Sequence, residues 1–104
     1  MGADPDWIRD LFSDLGEITT RSMMGGLSVY ADGRIFAAAD RDGVLYLRAK
    51  GSLARDLSAM GGRPFVVTRP DGSEGRMGYV TLPEAALDDP EAACDLARRA
   101  PREG

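Results

Sequence analysis

The sequence predicts an α+β domain in two layers: an antiparallel sheet of about five to six strands, with N-terminal, middle and C-terminal helices packed mainly on one face. Three observations predict it. Asp32-Gly33 joins two extended runs, Leu27 to Ala31 and Arg34 to Ala39, as the two-residue loop that right-twisted hairpins favour. Asp4-Pro5 opens a stretch with apolar residues at helical spacing, and Asp88-Asp89-Pro90 opens another near the end. Pro64 to Arg69 and Arg76 to Leu82 are extended runs about the turn Pro70-Asp71-Gly72-Ser73.

In the first helix Asp4 is the cap, and Pro5 takes the first position, where a missing N–H costs nothing. Trp7, Leu11 and Leu15 lie four apart with Ile8 and Phe12 beside them, which predicts a helix from Trp7 to Leu15 with one face in or at the edge of the core. Gly16 closes it. Ile18 to Met23 is the first strand and runs into the corner Met24-Gly25-Gly26, where adjacent glycines signal a bulge, a positive φ or a close backbone approach. A phosphate-cradling loop does not fit, because no helix follows the glycines and neither phosphate-loop pattern is present.

The two-residue turn predicts a register in which Ala31 faces Arg34, Val29 faces Phe36 and Leu27 faces Ala38. Leu27, Val29, Phe36 and Ala38 then form the core face, while Ser28, Tyr30, Ile35 and Ala37 form the other. Asp40-Arg41-Asp42-Gly43 is an acidic turn, and beyond it Leu45 and Leu47 join the core face with Val44, Tyr46 and Arg48 opposite. The second face, with Tyr30, Ile35, Val44 and Tyr46, is more apolar than solvent contact needs. Its cover is either a segment of the same chain, or a second subunit or ligand.

Ser52 is read as the cap of a helix from Leu53 to Met60 with Leu53, Leu57 and Met60 in its apolar row; Gly61-Gly62 stop it. In the Arg76 to Leu82 strand, Met77, Tyr79 and Thr81 point one way and Gly78, Val80 and Leu82 the other. Pro83-Glu84 starts a helical turn through Leu87. The last helix buries Ala93, Leu96, Ala97 and Ala100, with Cys94 beside them as a small buried residue.

Composition limits the chemistry. With no histidine, the commonest general base and the usual nucleophile pairs are gone, and a single cysteine allows neither an internal disulfide nor the usual zinc sets. The reading is a non-enzyme with no cofactor and no metal. A net charge of −4 argues against direct DNA binding, which needs a basic face. Lys50 apart, every basic residue is arginine, and the arginines are scattered. No apolar run is long enough for a membrane span, and Met1 to Asp6 lacks the marks of a signal peptide, so cytoplasmic residence with no membrane partner is expected.

The chain resembles the amino-terminal domain of the TfoX (Sxy) family of competence regulators. The likeness runs through the Trp7 to Leu15 helix with Gly16, Arg21-Ser22-Met23-Met24-Gly25-Gly26, Tyr30-Ala31-Asp32-Gly33-Arg34-Ile35-Phe36-Ala37 and Leu45-Tyr46-Leu47-Arg48. It continues in Pro64-Phe65, Met77-Gly78-Tyr79 and Leu82-Pro83-Glu84 through Ala97-Arg98-Arg99-Ala100. It implies one TfoX amino-terminal-like domain over residues 1–104, a stand-alone short member of a bacterial family, with a two-layer α+β fold and a role near transcription. It supplies no catalytic residues. Arg21, Met24, Gly25, Gly26, Tyr46 and Tyr79 occupy its characteristic positions, and with Tyr30 they form the candidate interaction or ligand surface.

The expected function is a non-catalytic regulatory or protein-interaction domain, partnered by a second copy of itself or by a regulator or transcription-machinery protein. The alternative is small-molecule binding between the glycine corner and Tyr30, Tyr46 and Tyr79. An enzyme using Glu17 or Glu74 as base ranks last, because acidic residues fall in turns and on polar helix faces.

Overall fold

A computed structural model describes residues 4–23 and 25–101. Helix α1, Pro5–Leu11, begins as its sequence dictates: the Asp4 carboxylate accepts the Asp6 N–H at 2.9 Å, and Pro5 follows. It stops four residues earlier than the spacing suggests. Phe12 leaves the α conformation, Ser13–Leu15 form a 3₁₀ turn, and Gly16 at φ 116° redirects the chain. The break lets the Phe12 ring turn inward to meet Phe36 edge-on, with centroids 5.0 Å apart. Ile8, Leu11 and Phe12 are buried, whereas Trp7 sits at the core edge, 36% exposed.

Six strands follow: β1 Ile18–Met23, β2 Gly26–Ala31, β3 Arg34–Ala39, β4 Leu45–Arg48, β5 Pro64–Thr68 and β6 Glu74–Thr81. They form one antiparallel sheet in the order β1-β2-β3-β4-β6-β5. At the β2–β3 turn Asp32 and Gly33 both have positive φ, 51° and 85°, the backbone that a tight right-twisted hairpin requires. The predicted register holds for Ala31 with Arg34 and then changes. After Tyr30 and Ile35 the ladder slips by one residue, so Val29 pairs with Ala37, Ser28 with Ala38 and Leu27 with Ala39.

This bulge corrects the expected faces: Ala37 belongs to the core and Ala38 to the opposite face. The cause lies in packing. Phe36 and Ala37 are adjacent and both fully buried, and at the bulge both turn toward the core. Val29 is also buried, but its partner is not Phe36. Beyond the bulge Ala37 pairs with Leu47 and Ala39 with Leu45, so both leucines face the core as expected. In the β3–β4 turn the Asp40 carboxylate accepts the N–H groups of Asp42 and Val44, each at 2.9 Å.

Helix α2, Ser52–Ala59, is capped differently from expectation. Gly51, at φ 59°, is the N-cap, and Ser52 is the first helical residue, its hydroxyl accepting from Arg99 at 3.4 Å. Leu53 and Leu57 are buried, while Met60 lies past the helix end and is exposed. Strand β6 begins two residues earlier than its apolar run. Helix α3, Glu84–Leu87, is a single turn, and α4, Pro90–Arg98, starts where Asp89 accepts the Ala92 N–H at 3.2 Å. Ala93, Cys94, Ala97 and Ala100 are buried, and their small side chains let α4 sit close to α1. Arg99 also reaches Asp56 at 2.8 Å and ties the end of α4 to α2. The architecture is α+β, with the helices on one face of an antiparallel sheet. No helix among the described residues is long and apolar enough to cross a membrane.

Candidate interaction face

Directly paired residues of antiparallel strands project to the same side, so the register identifies what stands on the face away from the core. One row crosses four pairings: Arg21 with Ser28, Ser28 with Ala38, Ala38 with Tyr46, and Tyr46 with Thr81. It ends at Arg63, whose N–H donates to the Thr81 hydroxyl at 2.9 Å. The neighbouring row holds Thr19, Tyr30 and Ile35 on one flank, and Arg48 paired with Tyr79 on the other. Arg21, Tyr30, Tyr46 and Tyr79, predicted from separate motifs, therefore share one face.

The tyrosines have distinct surroundings. The Tyr46 hydroxyl donates to the Asp40 carboxylate at 3.5 Å, and its ring meets Phe65 edge-on at 5.1 Å. Burial pushes its ionisation above the usual phenol range, the Asp40 charge and hydrogen bond push it further, and Arg63 pulls it partly back. Tyr79 is likewise raised, first by burial; the Arg48 charge lowers it and Tyr30 raises it. Tyr30, Arg48 and Tyr79 thus share one electrostatic neighbourhood.

The glycine corner frames one end of this face. Gly25, at φ 88°, lies under the Arg41 side chain, and Gly26 faces the β3 backbone so closely that a Cβ there would collide with the Ala39 carbonyl. A groove of about 250 Å³ follows, lined by Gly26, Ala38, Tyr46 and Phe65 with the Asp40-Arg41 turn at its rim. Met24 lies outside the described residues.

The candidate surface drawn from the sequence left out three contributors. Arg48 and Thr81 occupy the alternate positions that already placed Tyr46 and Tyr79, so strand alternation was the signal for them. Phe65 carried no such signal, because its contact with Tyr46 crosses over β6 and depends on the irregular β5–β6 pairing between Pro64 and Val66.

The face offers aromatic rings, phenolic hydroxyls and guanidinium groups, which is equipment for binding. Among the described residues Ser28 is the polar side chain in the buried class, and no group of three or more His, Cys, Asp or Glu could hold a metal ion. No curated protein matches the chain. The family model for the TfoX N-terminal domain matches residues 10–103, from within α1 to beyond α4, and the chain belongs to that family.

Proposed function

We propose that the chain is a non-catalytic regulatory domain that works by docking a partner protein on its open sheet face. Family membership supports a regulatory type of domain. The observation that carries the reading is the register, which collects Arg21, Tyr30, Tyr46, Arg48 and Tyr79 on the side the helices leave uncovered. Tyrosine and arginine are the residues that most often dominate protein interfaces, since they combine large contact area with hydrogen-bonding capacity.

The partner in this reading is a different protein, a regulator or a component of the transcription machinery.

Site-specific photo-crosslinking in the source cell tests the reading. A crosslinkable residue at Thr19 or Tyr79 should yield a discrete protein adduct, and one at Arg55 on α2 should not. Adducts from Arg55 alone, or none from the sheet face, would refute it. Light scattering of the purified chain should give the monomer mass; a dimer abolished by substitutions at Arg21 or Tyr30 would assign the face to self-association instead.

A further inference from the structure

The two layers carry opposite charge. Strands hold Arg21, Arg34 and Arg48 against Glu74, while α1 and α4 with their caps hold Asp4, Asp6, Asp10, Asp89, Glu91 and Asp95 against Arg9, Arg98 and Arg99. A chain with a net charge of −4 therefore presents a sheet of positive sign. On the open face Arg21 and Arg48 stand in the rows described above, and Arg41 and Arg63 flank the groove and the row end. Of the carboxylates in the β3–β4 turn, Asp40 is already engaged by two backbone N–H groups and the Tyr46 hydroxyl, and Asp42 adds a weaker negative charge near Tyr46.

From this complementarity we infer that the open sheet face docks an acidic segment of a partner protein, its carboxylates meeting Arg21 and Arg48 and its apolar side chains lying against Tyr30, Tyr46 and Tyr79. The inference rests on the docking reading above and adds the chemistry of the partner. Arg48 has contacts within the chain, but a guanidinium has five N–H donors and serves more than one acceptor. The hydroxyls of Tyr30 and Tyr79 add donors suited to carboxylate oxygens, while that of Tyr46 is taken by Asp40.

The same charges separate a protein segment from a nucleic acid. A phosphate backbone bears charge at every nucleotide, and the net charge of −4 on the whole chain opposes it wherever it runs beyond the arginines of this face. A short acidic segment ends where the arginines end.

Fluorescence anisotropy with the full chain tests the inference, using a short labelled peptide that alternates glutamate and leucine as the probe. Controls are the same peptide with glutamine for glutamate, and single-stranded oligo(U). The acidic peptide should bind at low ionic strength and weaken in physiological salt. Arg21→Gln and Arg48→Gln should each weaken binding roughly two- to five-fold, as expected for exposed ion pairs, and Arg55→Gln on α2 should leave it unchanged. Circular dichroism melts of each variant separate lost binding from lost folding. Equal binding of the glutamine peptide, or arginine variants that fold and bind as well as the parent, would overturn the acidic partner while leaving the crosslinking test of docking intact. Tighter binding of oligo(U) than of the peptide would also overturn it and assign the face to single-stranded nucleic acid.

Discussion

The Ala39 carbonyl oxygen occupies the space that a Cβ on Gly26 would need. Gly26 has no positive φ, so its requirement is steric, imposed by how closely β2 starts against the end of β3. Gly33 is the opposite case: its φ is 85°, and a Cβ there would meet nothing within 4 Å. Gly26→Ala should therefore destabilise the fold by about 3 kcal/mol through a backbone clash, and Gly33→Ala by about 1–2 kcal/mol through left-handed strain alone. Urea unfolding of both variants checks the order; a Gly26 variant no less stable than the Gly33 variant would contradict the close approach.

The slip between Val29 and Tyr30 makes an equally sharp prediction. Ala37 is fully buried and Ala38 only partly so, although strict alternation from the hairpin puts them the other way round. Ala37→Ser places a hydroxyl among Val29, Leu47 and the helices and should cost about 1–3 kcal/mol. Ala38→Ser faces the open side and should change stability by less than about 0.5 kcal/mol. Reversed costs would restore the regular register.

Much of this fold was legible because local chemistry and tertiary demand agree. Asp4-Pro5 and Asp89-Pro90 cap helices as their side chains dictate, and Asp32-Gly33 makes the only kind of turn that its spacing and backbone freedom favour. Where they disagree the sequence is silent. Nothing in Ile35-Phe36-Ala37-Ala38-Ala39 distinguishes a bulge from a plain strand, because every residue is apolar and alternation leaves no mark. The residue at the bulge, Phe36, meets the ring of Phe12, which is distant in sequence. Ser52 looked like a cap, but Gly51 can adopt φ 59° and takes the position one residue earlier. The tyrosines of the open face were legible one by one; their assembly, with Arg48 and Phe65, needed the strand order that puts β6 between β4 and β5.

Cys94 should behave as a sensor of unfolding. Its side chain is buried, its Sγ donates to the Leu11 carbonyl at 3.4 Å, and burial raises its ionisation above the usual thiol range. The nucleophilic thiolate is therefore doubly scarce in the folded chain. A disulfide reagent at pH ~8 should label it slowly, with a rate that climbs with urea in step with the unfolded fraction. Immediate stoichiometric labelling of the folded protein would contradict the packing of α4 on α1.

Tyr46 and Tyr79 impose an alkaline limit whose direction follows from their raised ionisation. Below pH ~10 both phenols keep their protons whether the chain is folded or not, and their contribution to stability is complete. As pH rises further the unfolded chain releases those protons first, because the folded state holds the neutral forms. The unfolded state then binds fewer protons, so the unfolding free energy falls with pH until the folded phenols also ionise. Tyr79→Phe removes one of the two groups, and the variant should lose stability less steeply than the parent between neutral pH and pH ~11. Paired urea titrations give that slope, and phenolate absorbance of the folded protein should lose a late-titrating component in the variant. Identical slopes would mean that the Tyr79 hydroxyl is as hydrated in the fold as in the open chain, and the row linking Tyr30, Arg48 and Tyr79 would lose its electrostatic support.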